Sequence, residues 1–222
     1  MKISEVECPI CKWKGKKFKD LDCDYGHIYK NAECPKCKSQ PRHRLLYLYL
    51  KKIIPKNKSL RLLHFAPDSL KNLFVQYKNL KYLSVDINPK RAMKKEDITK
   101  LSFKNESFDI IICIHVLEHV QKDKKAMKEL HRVLKKNGFA IIDVPLDYSR
   151  KKTDEDFSVT DPIERTKRFL QQDHVRLYGR NFKNRLKEAG FKVKTDNFAS
   201  SLSKSYRKKY GLENKLIYFC KK

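Results

Sequence analysis

Two cysteine pairs near the start of the chain have the spacing of a metal site. Cys8-Pro-Ile-Cys11 and Cys34-Pro-Lys-Cys37 are C-x2-C elements separated by 22 residues. Each element places two thiolates on one side of a tetrahedral ion, which suits zinc. The four cysteines are therefore predicted to bind one structural zinc. Cys23 and His27 lie inside the intervening loop, so exchange of one ligand stays open, and a redox or metal-free cluster is the alternative.

A second set of polar residues follows two apolar runs. His115-Val-Leu-Glu118-His119 comes directly after residues 110–114, and Asp86 comes directly after residues 80–85. Open α/β sheets bind ligands at the carboxyl ends of parallel strands. An acid about 20 residues after the first strand is placed to accept hydrogen bonds from two ribose hydroxyls. Asp86 is thus a candidate ribose ligand, and His119 is a candidate base or a purely structural histidine.

A third set lies in the polar segment 146–180. Its 35 residues are too many for a plain connection in a compact domain, so the segment is predicted to be a lid over the binding edge. His174 and Arg176, near Asp173 and Tyr178, could orient an anionic or polyhydroxyl acceptor. The alternatives are a structural role for His174 and an ion pair between Arg176 and either Asp173 or the acids at 154–156.

A strand, a helix and a second strand between residues 108 and 145 must position these groups. Residues 110–114 form a continuous β-branched apolar run, which is typical of a strand covered on both faces. The helix is predicted to begin with Asp123 as its N-cap and to end at a left-handed Asn137-Gly138. Its inward face is marked by apolar residues at three- and four-residue steps, namely Met127, Leu130, Val133 and Leu134. Residues 139–144 are the second strand.

The remaining pattern also alternates strands and helices. Further strands are predicted at 60–65, 80–85, 191–195 and 215–220, and helices at 40–54, 68–77, from 162 onward, and at 181–189. No glycine occurs between Gly26 and Gly138. The glycine-rich phosphate loops of dinucleotide and nucleoside triphosphate sites are therefore absent from this half, which disfavours a nicotinamide oxidoreductase.

Length and charge bound the class of protein. The 222 residues allow one α/β core and a small appendage. The formal charge of +26 suggests a polyanionic partner such as nucleic acid, but the excess of 40 Lys over 12 Arg also fits coding bias. The sequence has no 18-residue apolar run and no signal-peptide pattern, so a cytoplasmic protein is expected. Its seven cysteines are then thiols or metal ligands.

The stretch from Phe108 to Pro145 closely resembles the central segment of class I S-adenosylmethionine-dependent methyltransferases of the type 11 group. That family has an FD pair, an apolar strand, HVLEHV, an amphipathic helix ending in Leu-Lys-x-x-Gly, and an apolar strand, and this chain carries each in order. The resemblance covers about residues 60–220. It implies an α/β, Rossmann-like sheet that is mostly parallel, with an antiparallel last strand beside the fifth. Residues 64–68 replace the family's usual acidic-x-Gly-x-Gly loop and are similar to a zinc-knuckled subset with "LHFAPE".

The resemblance also implies a cofactor and its site. S-adenosylmethionine would have its ribose on Asp86 with Ile87 beside it, and its adenine between Asp97 and Ile98, although a loop cap is the alternative for Asp97. The methionine side would be lined by residues from two strand ends, namely Phe65, Ala66, Pro67 and His115.

The favoured function is methyl transfer from S-adenosylmethionine to an unidentified acceptor of small-molecule, glycan or lipid type. The alternative is a catalytically silent methyltransferase-like fold that binds nucleic acid or protein, with affinity that falls steeply with salt. Three parts are predicted: a zinc module at 1–40, a connecting helix at 41–57, and a methyltransferase domain at 58–222 with the insert 146–180. With few large apolar side chains, the first part would need its metal to fold.

Overall fold

The structure is a computed structural model that describes residues 5–23 and 27–222. The side chains of Cys23 and His27 fall outside the described part, and with them the predicted exchange of a zinc ligand. The chain divides into two compact units. The first comprises Met1–Ser59, Asp68–Leu80 and Asp196–Ile217, and the second comprises Leu60–Pro67, Lys81–Thr195 and Tyr218–Lys222. The three-part division made from the sequence stays a prediction.

Strands and helices alternate along most of the described chain. The strands are β1 (Val6–Glu7), β2 (Lys14–Gly15), β3 (Lys19–Cys23), β4 (His27–Glu33), β5 (Leu60–Phe65), β6 (Leu80–Asp86), β7 (Lys94–Lys95), β8 (Phe108–Ile114), β9 (Leu134–Asp143), β10 (Asp154–Glu155), β11 (Arg176–Leu177), β12 (Lys192–Asp196) and β13 (Ile217–Lys221). The helices are α1 (Pro41–Ile53), α2 (Lys71–Phe74), α3 (Asp123–Val133), α4 (Pro162–Phe169), α5 (Phe182–Glu188) and α6 (Lys204–Tyr210). Short 3-10 turns span Leu117–His119 and Phe198–Ser201.

A seven-stranded sheet has the order β12-β13-β9-β8-β5-β6-β7. Strand β8 is parallel to both β5 and β9, and β6 is parallel to β7, whereas β13 is antiparallel to β9. Every residue from Ile110 to Ile114 is buried, as expected for a strand covered on both faces. The predicted α/β, Rossmann-like sheet is confirmed. The last strand, β13, lies beside β9, which is the fifth strand of this sheet in chain order.

Helix α3 lies between β8 and β9 but differs from the prediction at both ends. Its N-cap is Lys122, and the carboxylate of Asp123 accepts from Tyr178 and Arg185 instead of capping the backbone. The helix ends at Val133, and the backbone is already extended at the next residue. Gly138 is not left-handed; a Cβ there would lie 2.6 Å from the Asp109 carbonyl oxygen. The glycine therefore permits close approach of the strands and does not stop the helix.

Helix α1 in the first unit begins and ends close to the predicted positions. Its last residue is Ile53, and Ile54 is extended because a residue before proline avoids the helical region. Two of the three basic residues in its first turn, His43 and Arg44, are buried. Arg44 is fully buried and donates to the carbonyls of Ala32, Ser39, Tyr210 and Gly211, and its guanidinium lies 3.9 Å from the Phe18 ring centroid.

The segment 146–180 is more ordered than a plain loop. Strands β10 and β11 pair antiparallel within it, and α4 lies between them in the sequence. Asp161 caps α4, since its carboxylate accepts from the Glu164 N–H at 2.9 Å. Helix α6 in the first unit was not predicted, because its sequence is mostly basic and has no clear apolar stripe.

Candidate active site

The carboxyl ends of four sheet strands meet at one edge. The Ala66 N–H donates to the Val85 carbonyl at 2.9 Å, which joins the ends of β5 and β6. Phe65 is in register with Cys113, so β8 ends beside β5. The His115 N–H donates to the Asp143 carbonyl at 2.8 Å, which joins the ends of β8 and β9. The residues predicted from sequence to bind the methionine and ribose therefore lie at one edge of the sheet.

Two residues at this edge have left-handed backbone conformations without being glycine. Ala66 has φ 45° and His115 has φ 53°. An L-residue in this region carries a cost of about 1–2 kcal/mol, which the surrounding structure must offset. Ala66 makes the sharp turn after β5, a position where glycine would carry no such cost. Lack of glycine in this loop therefore does not prevent the sharp turn.

Asp86 ends β6 with its side chain almost buried. One carboxylate oxygen accepts from the Asn88 N–H at 2.8 Å, and the other lies 3.7 Å from Nε of the exposed Arg91. The next residue, Ile87, is 63% exposed. Asp86 therefore has a fixed orientation, and only a weak, long ion pair occupies its second oxygen.

Asp97 lies in the loop after β7 and is exposed, while the neighbouring Ile98 is buried. One oxygen of Asp97 accepts from both the N–H and the hydroxyl of Thr99, each at 2.8 Å. These hydrogen bonds hold the pKa of the Asp97 carboxyl below its usual value. Asp97 thus has the geometry of a loop cap, the alternative considered from sequence, and its predicted adenine contact stays a prediction.

His115 lies between two buried carboxylates. Its Nδ1 is 3.3 Å from Glu118 Oε1, and its Nε2 is 3.6 Å from Asp143 Oδ2. Burial alone would raise the pKa of Glu118, but the hydrogen bond and charge of His115 outweigh burial and lower it. Sequence reasoning did not select Glu118 or Asp143 as site residues. Asp143 could have been noticed as an acid at the end of an apolar strand, and Glu118 as an acid in the short polar run after β8.

The two candidate bases lie side by side. The ring centroids of His119 and His174 are 4.8 Å apart in an edge-to-face arrangement. His119 Nδ1 lies 3.2 Å from Asp173 Oδ2, and His174 Nδ1 donates to the Phe169 carbonyl at 2.7 Å. Burial lowers the pKa of His174, which favours its neutral form. Residues 55 positions apart in sequence are therefore joined in one cluster.

The guanidinium of Arg176 is buried and bound by other protein groups. Its fully buried guanidinium pairs with Glu155 at 3.0 Å and donates to the carbonyls of Leu117, Val120 and Gln121. Pairing with an acid at 154–156 is the alternative considered from sequence. Because protein acceptors surround the guanidinium, we assign Arg176 a positioning role in place of the acceptor contact expected from sequence.

The cysteine cluster lies in the first unit. Sγ of Cys8 is 3.6 Å from that of Cys37, and Sγ of Cys11 is 3.5 Å from that of Cys34. Four thiolates around a tetrahedral zinc at about 2.3 Å would lie about 3.8 Å apart. All four sulfurs lie within 4.8 Å of one another, so the donor set and its geometry fit zinc. Ser39 lies beside the cluster, 3.3 Å from Cys8 Sγ.

Across residues 5–23 and 27–222, the structure has no helix that is both long and apolar enough to cross a bilayer.

Comparison with known sequences finds similarity in the central part of the chain. A family model described as a methyltransferase domain matches residues 68–142. An uncharacterized protein of Methanocaldococcus jannaschii is 38% identical over 70 residues, which are 29% of this chain and 31% of the relative. The chain thus covers about a third of the curated relative it matches.

Comparison with solved structures finds chains of similar fold. A chain from the complex of the Haloferax volcanii Trm112 methyltransferase activator with its methyltransferase has a TM-score of 0.57 at 12% identity, covering 81% of this chain and 89% of that one. An S-adenosylmethionine-dependent methyltransferase from Mesorhizobium loti has a TM-score of 0.54 at 15% identity, covering 80% and 98%. The cyclase SpnF has a TM-score of 0.57 at 12% identity, covering 85% and 84%.

At these identities the structures show the fold alone, and SpnF illustrates that one fold serves more than one reaction. Evidence beyond the fold comes from the sequence match at residues 68–142. Residues 68–142 are therefore similar in sequence to a methyltransferase domain, and they belong to a sheet with the Rossmann-like fold.

Proposed function

We propose that the chain is an enzyme that binds S-adenosylmethionine at the edge formed by β5, β6 and β8 and transfers its methyl group to an acceptor. The acceptor's lone pair forms the bond to the methyl carbon while the carbon–sulfur bond breaks and its electron pair stays on sulfur. The products are the methylated acceptor and S-adenosylhomocysteine, and a proton leaves the acceptor. The protein must align the three centres in a site that excludes water.

The observation that carries this proposal is the convergence of Phe65, Asp86 and His115 at one sheet edge. The switch in strand order at β5 and β8 places a crevice there, because the chain connections leave this point in opposite directions. In this proposal Asp86 accepts the ribose hydroxyls, with the exposed Ile87 beside it. The left-handed turns at Ala66 and His115 let the backbone approach the methionine.

The other cofactor contacts follow from the same placement. Asp97 and Ile98 would flank the adenine, and Phe65 with Pro67 would complete the methionine side together with Ala66 and His115. None of these contacts requires a glycine-rich loop, because S-adenosylmethionine carries no phosphate.

The acceptor side is proposed at the paired histidines. His119 and His174, whose rings are in contact, are the proposed bases that take the proton released by a hydroxyl or ammonium acceptor. Replacing His174 with Ala should lower turnover far more than it lowers cofactor affinity, since an acceptor-side group acts mainly in the transition state. Equal losses in both quantities would contradict this assignment.

The test of cofactor binding is calorimetric titration of the full chain with S-adenosylmethionine and with S-adenosylhomocysteine. Asp86→Ala should weaken both by about 1–3 kcal/mol, the scale of a lost hydrogen bond to a charged group. The matched control is Asp109→Ala, since Asp109 is an aspartate at the amino end of β8, paired with Lys135 at 2.9 Å. Unchanged affinity in folded Asp86→Ala would refute the ribose contact.

Absence of any cofactor binding by the wild-type chain would refute the proposed activity. The chain would then act as a silent methyltransferase-like fold, and the charge of +26 would favour nucleic acid as its ligand. Binding of a short RNA or DNA that weakens steeply with added salt would support that second function.

The cysteine cluster is proposed to hold one structural zinc through Cys8, Cys11, Cys34 and Cys37. The sulfur separations support this, and so do the buried positions of Cys8 and Cys34. This part of the chain has few large apolar side chains to form a core, and zinc would stabilise it by cross-linking the four cysteines. Thiolate ligands also need a reducing surrounding, which is why a cytoplasmic location is proposed.

The proposed partners are an acceptor of a given chemical class and a protein. A small-molecule, glycan or lipid-type acceptor fits a site that combines two imidazoles with nearby carboxylates. The Haloferax volcanii methyltransferase is found in a complex with an activator protein, so a protein partner for this chain is a further candidate.

A further inference from the structure

Three side chains in the second unit form a cluster with the composition of a metal site. Glu118, His119 and His174 each offer one ligand atom, and these atoms all lie within 4.8 Å of one another. Glu118 and His119 belong to the 3-10 turn after β8, and His174 comes from the segment 146–180. Two imidazoles and one carboxylate are a donor set that binds divalent first-row metals.

Both histidines are oriented in the way that metal ligands usually are. A ligating histidine commonly donates its other ring N–H to a carboxylate or a backbone carbonyl, which fixes the tautomer and the ring plane. His119 has Asp173 3.2 Å from its Nδ1, and His174 has the Phe169 carbonyl 2.7 Å from its Nδ1. The nitrogen left to a metal is therefore Nε2 in each ring, with its lone pair available.

The carboxylate supplies an independent observation. Glu118 is 1% exposed, and its Oε2 has no hydrogen-bond partner among the described residues. Its Oε1 lies 3.3 Å from His115 Nδ1. A buried carboxylate oxygen that is left unsatisfied is costly, and a bound cation would remove this cost.

The turn that carries two of the ligands is itself held rigidly. Arg176 donates to the carbonyls of Leu117 and Gln121, on either side of Glu118 and His119, at 2.7 and 2.8 Å. The Val175 N–H donates to the Glu118 carbonyl at 3.0 Å, next to His174. These bonds lock the two parts of the cluster together, so the ligand geometry is set before any ion binds.

We propose that Glu118, His119 and His174 bind one divalent first-row metal ion, separate from the cysteine cluster and with coordination positions left open toward the crevice. The role of the ion rests on the proposed methyltransferase activity. With the ion bound, His119 and His174 act as ligands and no longer take the acceptor's proton themselves. An acceptor oxygen bound at an open position would lose its proton more readily, which makes it a better nucleophile for the methyl group. The acceptor class is thus a hydroxylated molecule that can bind a metal through oxygen.

Cobalt is the probe, because its absorption distinguishes thiolate ligands from nitrogen and oxygen ligands. Full-length protein whose cysteine cluster is filled with zinc is titrated with Co²⁺. We expect saturation at one Co²⁺ per chain, with d–d bands and no thiolate charge-transfer band. Glu118→Gln and His174→Ala should each weaken binding at least tenfold. Asp173→Asn, which alters only the partner of His119, should weaken it by about ten- to a hundredfold.

The control is His131→Gln, since His131 is in α3 and packs against Phe191, outside the cluster. It should bind Co²⁺ like the wild type. The wild-type titration does not depend on any variant folding, so no Co²⁺ binding beyond the zinc-filled cluster overturns the proposal. Binding that is equally strong in folded Glu118→Gln and His174→Ala also overturns it. S-adenosylmethionine affinity, measured on the same samples, separates failure of the metal site from failure of the methyltransferase function.

Discussion

The guanidinium of Arg176 donates to the main-chain carbonyl of Leu117 at 2.7 Å, and both residues are fully buried. Leu117 directly precedes the acid and imidazole of the 3-10 turn, whereas Arg176 lies two residues after His174. This one hydrogen bond therefore joins the turn that follows β8 to the segment 146–180. The proposed acceptor side depends on this link, although the side chain of Arg176 is itself buried.

We expect Arg176→Lys to destabilise the protein by about 2–4 kcal/mol, because an ammonium group cannot bridge three carbonyls and Glu155 as the planar guanidinium does. Urea denaturation measures this loss. Arg165→Lys is the control, since Arg165 lies in the same segment and its Nε donates to a single carbonyl, that of Val159. If Arg176→Lys lowered the free energy of unfolding by less than about 0.5 kcal/mol, the size of an ordinary surface substitution, the hydrogen bonds of Arg176 would not stabilise the fold.

The sequence predicts the sheet well because its strands are marked locally. Residues 60–65 were predicted as a strand and are β5 exactly, and the run at 110–114 is the inner part of β8. Continuous β-branched runs bounded by polar residues leave little choice of conformation. The predicted end of α3 was wrong because Leu134 fits both the apolar face of the helix and the start of β9. Contacts with β8 decide between them, and local pattern cannot report those contacts.

The left-handed turn after β5 makes a separate prediction. Ala66→Gly should raise the free energy of unfolding by up to about 1 kcal/mol, since it removes a cost of about 1–2 kcal/mol and adds a smaller chain-entropy cost. Ala66→Val should lower it by more than 1 kcal/mol, about the size of the left-handed penalty for a β-branched residue. Thermal or urea unfolding gives both values.

Ala140→Gly is the control for that comparison, because Ala140 lies in β9 and is not among the residues with positive φ. Glycine there should be destabilising by at least about 0.5–1 kcal/mol. If Ala66→Gly destabilised the protein as much as Ala140→Gly does, the left-handed turn would not describe residue 66 in solution.

The cysteine cluster predicts one zinc per chain and a loss of structure when zinc is removed. Trp13 is the only tryptophan; its carbonyl accepts from the Cys8 N–H at 2.8 Å, and its ring centroid lies 5.6 Å from that of Phe18. Its fluorescence should therefore shift to longer wavelength when a chelator removes the metal. Cys11→Ser should reduce the zinc content measured by elemental analysis well below one per chain.

Cys113→Ala is the matched control, since Cys113 is a fully buried cysteine of β8 that does not belong to the cluster. It should retain one zinc and the wild-type fluorescence response. Wild-type protein purified with zinc present yet containing none would refute the structural zinc.

The candidate site was only partly accessible to sequence reasoning, for a physical reason. The position of Asp86 and His115 at one sheet edge could be predicted, because they lie at the ends of strands that the local pattern marks and the sheet brings strand ends together. The contact between His119 and His174 could not be derived, because the fold of the segment 146–180 decides it. Arg176 was predicted on the acceptor side because of its charge. Its burial and its carbonyl partners depend on tertiary structure, which the local sequence does not show.

His64 in β5 makes the stability of the protein sensitive to acid. Its ring is buried, its Nδ1 lies 3.2 Å from the Tyr82 hydroxyl, and burial lowers its pKa to about 3. The unfolded chain has a histidine pKa of about 6.5, so between these two values the unfolded state binds the extra proton. Stability from the neutral His64 is therefore fully present above about pH 6.5 and declines by about 1.4 kcal/mol for each pH unit below it.

The measurement is the free energy of unfolding of wild type and His64→Gln at several pH values, because glutamine keeps a polar group for Tyr82 but does not titrate. Relative to the variant, wild type should lose about 2.5 kcal/mol between pH 7 and pH 4.5. Comparing the two proteins cancels the acid sensitivity that they share, including release of zinc from protonated cysteines. A difference between the proteins that stays constant over this range would mean that His64 is protonated as easily in the folded state as in the unfolded one, and the burial of its ring would then not hold in solution.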